Sequence, residues 1–138
     1  MNFWDYEFSA DTHYLLWAIS DPSRISKNIK NIITNPENRV FVSTISFWEV
    51  SLKSGLGKLE ISGFSPEDLP SLCTKIGFEI ILLSPEESST YHELKATHHK
   101  DPFDRMLIWQ AIRNNLILIS SDVNISRYKS EGLNTISK

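Results

Sequence analysis

Short apolar, β-rich runs alternate with segments of helical periodicity along most of this sequence, and that alternation limits the fold more than any other feature. Five runs are predicted as strands: residues 6–10, 39–43, 78–83, 116–120 and 133–136. Because strands separated by helices pair in parallel, the pattern favours an α/β domain with a mainly parallel sheet. A chain of 138 residues fits one such domain, here residues 1–138.

Helix candidates fill the intervals between the predicted strands. Residues 12–19 follow the first strand, isoleucines recur on one helical face within residues 25–33, and residues 44–54 form a third helix. Three further starts combine a capping residue, a proline in the first turn and an acid at the third position. They begin at Ser65, Ser84 and Asp101, and the last predicts a helix to about residue 114.

Composition excludes several classes of protein. Hydrophobic residues make up 41% and charged residues 22%, an ordinary globular balance. Apolar runs are only a few residues long, so we expect no membrane span, and the acidic N-terminal segment lacks a secretory pattern. The single Cys73 favours a cytoplasmic location. With a net charge of −3, the chain has no global basic surface for nucleic acid.

The first predicted strand carries an unusual pattern. Residues 4–10 read WDYEFSA and alternate between polar and apolar side chains. That alternation is typical of a half-exposed strand, whereas a central parallel strand is apolar on both faces. We therefore expect Glu7 and Ser9 to have unusual surroundings or the strand to be short.

Four acids stand where an open parallel sheet presents its site. Asp11 and Asp122 directly follow predicted strands, and Glu49 and Asp104 lie in early helical turns. Each also has a local explanation: a helix cap, a turn, or an ion pair of Glu49 with Lys53. Because the carboxyl ends of parallel strands share one edge, the four can converge. Crowded carboxylates repel one another, and oxygen ligands without a thiolate favour Mg²⁺ or Mn²⁺.

Five sequence blocks follow one another in the order of a known family. They are DTHYLLW from residue 11, STISFWEVSLK from residue 43, LGKL from residue 56, HKDPFDRMLIWQA from residue 99 and LISSD from residue 118. Together they resemble the PIN-domain family, and the chain is similar to the VapC-type toxins of bacterial toxin–antitoxin pairs. The resemblance implies a three-layer α/β/α PIN domain with a mainly parallel central sheet of four to five strands.

The resemblance also implies a metal-dependent ribonuclease that hydrolyses RNA with a metal-activated water. Its expected catalytic and metal-holding residues are Asp11, Glu49, Asp104 and Asp122, with one or two Mg²⁺ or Mn²⁺ ions. Polar residues around them could orient ligands or water, and the candidates are Thr12, Ser120 and Asp101. Asp101 is also explained as a helix cap.

Partners follow from the same resemblance. We expect a homodimer, an RNA substrate and a cognate antitoxin whose tail crosses the acidic site and enters an apolar groove. Trp17, Phe47 and Trp48 either contribute to that groove or pack in the core. Lys53 and Arg105 either meet phosphates or are solvated surface residues.

A competing interpretation is a non-catalytic PIN-like module that binds protein or RNA. Acids scattered over the surface would favour it, and acids gathered in one cleft favour the enzyme. The spacing of His92, His98 and His99 fits no zinc motif, and His99 is expected in a loop near the acidic site. A haloacid-dehalogenase-like phosphatase would need a second aspartate at position 13, where His13 stands. A receiver domain would need an aspartate after the third strand, where Ser84 and Pro85 stand.

Overall fold

The computed structural model describes residues 6–136. The strands are β1 (Glu7–Ala10), β2 (Arg39–Ser43), β3 (Glu79–Ile81), β4 (Ile117–Ile119) and β5 (Asn134–Ile136). The α-helices are α1 (Thr12–Ser20), α2 (Lys27–Thr34), α3 (Thr44–Gly55), α4 (Leu69–Lys75), α5 (Pro85–Thr90) and α6 (Pro102–Asn114). Short 3₁₀ helices lie at Pro22–Arg24, Pro66–Asp68, Tyr91–Glu93 and Ile125–Glu131.

The sheet has five strands in the order β3-β2-β1-β4-β5, and every pairing is parallel. The predicted α/β class with a parallel sheet is therefore confirmed. Four strands are shorter than predicted, and apolar residues such as Phe78 and Leu116 lie just before their strands and are buried outside the hydrogen-bonded ladder. Apolar character thus extends beyond the hydrogen-bonded ladder.

The first strand is short, which is one of the two outcomes expected from its alternating pattern. β1 is the central strand, and Phe8, Ser9 and Ala10 are all buried. Ser9 is small enough to fit there, and Glu7 stands at the first position of the strand, where its carboxylate lies 2.8 Å from Arg39 of β2. Trp4 and Asp5, with which the alternating pattern began, lie outside the described residues.

Helices cover both faces of the sheet and give it two separate cores. On one face, Val40 and Val42 pack with Leu15 of α1 and Ile29 of α2. On the other, side chains of α6 and β4 pack together around Tyr128, which is fully buried. This arrangement is the expected three-layer α/β/α order.

The three aromatic residues considered for a groove have different surroundings. Trp17 and Phe47 are partly buried and pack against the first core, which is the packing alternative. Trp48 is 61% exposed and contacts the ring of Phe103 edge to face at 5.0 Å between centroids.

Helix starts predicted from capping chemistry hold the site-bearing segments. Asp11 caps α1 by accepting a hydrogen bond from the Tyr14 N–H at 2.9 Å. Asp101 caps α6 through Oδ1, which accepts from the N–H groups of Phe103 and Asp104. The Ser65 and Ser84 starts both form capping boxes. Within residues 6–136, no helix combines the length and apolarity that crossing a membrane requires.

Candidate metal centre

A cavity of about 200 Å³ lies at the carboxyl ends of the two central strands. Asp11 reaches it from the end of β1, and Asp122 from the loop after β4. Asp104 enters from the first turn of α6, and His13, Ser120 and Ser121 complete the polar part of the wall. Three of the four predicted acids therefore line one cavity.

Glu49 and Asp101 form a second acidic group with Asp104. One carboxylate oxygen from each residue lies within 4.8 Å of the other two. Asp104 belongs to both groups, so it joins the cavity to the Glu49–Asp101 pair. The acids gather in one cleft, which is the arrangement expected of the enzyme and not of the binding module.

Asp104 carries the clearest electrostatic signature of the site. Burial, followed by repulsion from the charges of Asp101 and Glu49, raises its pKa from 3.8 to about 6. Its carboxylate accepts no hydrogen bond from any residue in the described range. A half-buried carboxylate with acidic neighbours and no donor is disfavoured in its charged form, and a bound cation would relieve that cost.

Asp11 and Glu49 are held by hydroxyl groups. Burial raises the pKa of Asp11, and hydrogen bonds from Tyr14 and Ser120 counteract part of that rise. Glu49 is buried, and the Thr12 hydroxyl donates to its Oε1 at 2.7 Å. Thr12 and Ser120 are thus placed to orient the two carboxylates, as expected of polar residues beside a metal site.

Lys53 lies inside the acidic group. Its Nζ is 2.5 Å from Glu49 Oε2 and 3.6 Å from Asp101 Oδ2. Glu49 therefore forms the helical pair with Lys53 and also lies in the acidic group, although the sequence presented an ion pair and a site position as alternatives. Burial lowers the pKa of Lys53, but the hydrogen bond and charge of Glu49 outweigh this and raise it overall.

His99 contacts Asp122, and Tyr128 in turn holds His99. His99 Nε2 contacts Asp122 Oδ2, and His99 Nδ1 lies 3.3 Å from the Tyr128 hydroxyl. That hydroxyl also accepts the His99 backbone N–H at 2.9 Å. Burial raises the pKa of Asp122, but hydrogen bonds from the Asn124 N–H and His99 outweigh it and lower the pKa overall.

Sequence reasoning placed His99 near the site but missed Tyr128. The five blocks of the resemblance end before Tyr128, and its partner lies 29 residues earlier in the chain. The HKDPFD block was a usable signal for His99 only. A tyrosine in a short 3₁₀ helix carries no local pattern that marks it as part of a site.

Arg105, suggested as a phosphate contact or a solvated surface residue, is partly buried and is not among the residues that line the cavity. Its guanidinium donates to the carbonyls of Leu94 and Ala96 and to the Tyr91 hydroxyl. From the opposite side, Glu131 accepts the backbone N–H groups of residues 95 and 96 at 2.6 and 2.8 Å. Together the two charged residues fix the segment that leads into His99 and Asp101.

The donor set fits a hard divalent cation. Every candidate ligand is a carboxylate oxygen, and the lone Cys73 is buried in the core away from the site. Mg²⁺ and Mn²⁺ prefer such ligands, and Asp104 offers oxygens that no side chain or backbone group in the described range engages.

Comparison with known proteins adds a family and a fold. A family model described as PIN domain matches residues 10–131. A chain of the VapBC2 complex of Rickettsia felis, crystallised with a DNA fragment from its promoter, is 20% identical with a TM-score of 0.65, covering 95% of this chain and 98% of that one.

Two further solved structures match over similar lengths. DNA-bound VapBC from Salmonella typhimurium is 15% identical with a TM-score of 0.63, covering 96% of this chain and 98% of that one. VapBC-1 from nontypeable Haemophilus influenzae is 16% identical with a TM-score of 0.65, covering 95% and 97%. At these identities the likeness concerns the fold alone. Among curated proteins, no sequence matches significantly.

Proposed function

The chain belongs to the PIN domain family, and from that premise we propose that it is a Mg²⁺- or Mn²⁺-dependent endoribonuclease, the toxin of a toxin–antitoxin pair. PIN domains of the VapC kind are nucleases, and the VapBC structures that share this fold are toxin–antitoxin complexes. The site supports hydrolysis of a phosphodiester rather than binding alone.

One observation carries the proposal: Asp104 is a half-buried carboxylate with no hydrogen-bond donor among residues 6–136, and other acids surround it. A surface that served only to bind a protein would gain nothing from this arrangement, because the acids repel one another and destabilise the fold. A divalent ion would offset the repulsion, so a metal-binding role explains why the acids are placed together.

Each residue of the centre has a defined task in this proposal. Asp11, Glu49, Asp104 and Asp122 form the acidic centre, and a metal bound there would supply Lewis acidity to activate water and neutralise charge on the phosphate. The side chains that orient these ligands are Thr12 at Glu49, Ser120 at Asp11 and His99 at Asp122, and the Ser46 hydroxyl in turn contacts the Thr12 hydroxyl.

The test is cleavage of total bacterial RNA by the purified chain. We expect discrete fragments with 5′-phosphate and 3′-hydroxyl ends in Mn²⁺ or Mg²⁺ and none in excess EDTA. Asp104→Asn should remove the activity, and Glu86→Gln, which removes an exposed acid from the first turn of another helix, should leave it unchanged. Absence of cleavage with every divalent ion and a broad panel of RNAs would favour the binding module.

An antitoxin partner belongs to the same proposal. The fold is shared with chains of VapBC complexes, and an acidic cleft is complementary to a basic side chain on a partner's tail. Co-expression with an antitoxin of that kind should suppress RNA cleavage and bring the two chains through purification together. Uninhibited cleavage in a stable complex would contradict a tail that covers the cleft.

We also propose a homodimer and a cytoplasmic location. Trp48, Leu52 and Leu56 recur every four residues along α3 and are 61%, 38% and 62% exposed, which leaves an apolar stripe for a second copy to cover. Sedimentation equilibrium should give twice the chain mass, and Leu56→Lys should shift it toward the monomer.

The cytoplasmic location is proposed because a reducing compartment suits the single thiol of Cys73.

A further inference from the structure

Lys53 stands where a metal ligand set would otherwise be complete. Glu49, Asp101 and Asp104 each offer an oxygen within 4.8 Å of the others, a spacing that suits a divalent ion. The Lys53 ammonium contacts two of these three carboxylates and lies 5.7 Å from the centroid of the Phe103 ring. The lysine side chain is only 32% exposed, so it is folded into the cleft rather than extended into solvent.

The oxygens of Glu49 and Asp101 are already engaged. Thr12 donates to Glu49 Oε1 and Lys53 to Glu49 Oε2. Asp101 Oδ1 caps α6, and its Oδ2 faces Lys53. Within this group only Asp104 keeps both oxygens unengaged by the described residues.

The other group of acids is different, because no lysine or arginine of the described residues enters it and His13 is its only basic neighbour in the cavity wall. Asp11, Asp104 and Asp122 line the cavity, and no lysine or arginine is among its lining residues. His99 touches Asp122 from outside the cavity wall, which leaves the cavity itself for an ion. The two groups share Asp104, but only the group with Glu49 and Asp101 contains a lysine ammonium.

We propose that the Lys53 ammonium takes the place of a second divalent ion, so that the centre binds one ion, held by Asp11, Asp104 and Asp122. This inference rests on the proposed function, since it assigns ions within the same site. Lys53 acts as a positioning residue: it neutralises the Glu49–Asp101 pair and repels a second cation that would approach it. Lys53 lies on α3 one turn after Glu49, so its ammonium is part of the site at any metal concentration.

The experiment is a titration of the metal-free chain with Mn²⁺ alone, followed by the electron paramagnetic resonance signal of free Mn²⁺ and by calorimetry. Wild type should bind one ion per chain. Lys53→Met keeps the length of the side chain but removes the charge, and it should bind two. Lys53→Arg should return the number to one, and Lys58→Met, which removes an exposed lysine just after α3, should bind one.

A second variant keeps the inference testable if Lys53→Met does not fold. Glu49→Gln should still bind one ion, with a dissociation constant within about tenfold of wild type, while Asp104→Asn should bind none. Thermal unfolding of each metal-free variant checks that it is folded.

The outcomes separate the two proposals. Two ions bound to wild type, or one bound to folded Lys53→Met, would overturn the role of Lys53 and leave the metal-dependent nuclease standing. Loss of binding in Glu49→Gln would place the ion with Glu49 and also overturn it. If wild type binds no Mn²⁺ at all, the proposed metal centre fails together with this inference.

Discussion

Replacing Asp104 with asparagine should make the metal-free protein more stable while removing its activity. The pKa of Asp104 is about 6 in the folded chain and near 3.8 as an ordinary carboxyl, so the folded state holds an extra proton between these values. Stability therefore falls as the pH rises from about 4 to about 6 and stays lower above that range. Asparagine carries no such charge, and its advantage should appear across this window.

The size of the effect can be worked from the same shift. About two pKa units correspond to roughly 3 kcal/mol, as an upper value. Partial exposure of Asp104 screens part of this, and loss of a negative charge from the first turn of α6 costs about 0.5 kcal/mol. We expect a net gain of about 1–2 kcal/mol for Asp104→Asn at pH 7.5, or roughly 3–8 °C in the unfolding temperature.

Thermal and urea unfolding in EDTA, from pH 4 to pH 8, measure this directly. The two proteins should have similar stability near pH 4 and diverge above it. Saturating Mg²⁺ at about a hundred times its dissociation constant should add about 2.7 kcal/mol to wild type and little to the variant, so the order reverses. Glu86→Gln controls for loss of an exposed acid in a first helical turn. A variant less stable than wild type at pH 7.5 in EDTA would refute the argument from repulsion.

Other predictions concern the groups that surround the centre. Arg105→Met should lower the free energy of unfolding by about 2–3 kcal/mol, since three hydrogen bonds of its guanidinium are lost, and urea denaturation measures it. Tyr128→Phe should cost about 1–2 kcal/mol because the His99 N–H loses its acceptor, and RNA cleavage should fall as Asp122 loses its support; unchanged cleavage would argue against that chain of contacts. Arg39→Met should change the free energy of unfolding very little despite two ion pairs, because its side chain is 56% exposed, and 1 M NaCl should reduce the difference further.

Local chemistry explains why much of the fold follows from sequence. The starts at Ser65, Ser84 and Asp101 depend on residues within three positions, and all three cap helical turns in the structure. Strand β2 has the predicted bounds, Arg39–Ser43, because polar residues precede it and a helix start follows it directly. Such features need no knowledge of distant contacts.

Strand β1 shows where this reasoning ends. Its alternating pattern suggested exposure, yet the strand is the central one of the sheet. The sheet accommodates Glu7 because this residue lies at the first position of the strand and its carboxylate accepts a hydrogen bond from Arg39, 32 positions away. A periodicity analysis gives each residue the same weight and contains no information about partners far along the chain.

The candidate site divides in the same way. The convergence of Asp11, Glu49, Asp104 and Asp122 was predictable, because topology alone brings strand ends and early helical turns to one edge. The entry of Lys53 into the acidic group, the inward turn of Arg105 and the support from Tyr128 depend on side-chain contacts between distant segments.

The central position of β1 also bears on when the site can exist during synthesis. β1 pairs with β4, so the strand that carries Asp11 is incomplete on one side until residues 117–119 have been made. More than a hundred positions separate Asp11 from Asp122, and at bacterial elongation rates their synthesis takes roughly 6–20 s. Through that interval the nascent chain carries some of its acids but no assembled cleft. On the proposed function, a ribosome that translates this message meets nuclease activity only after residues 117–122 emerge, and we expect chains terminated before them to be inactive.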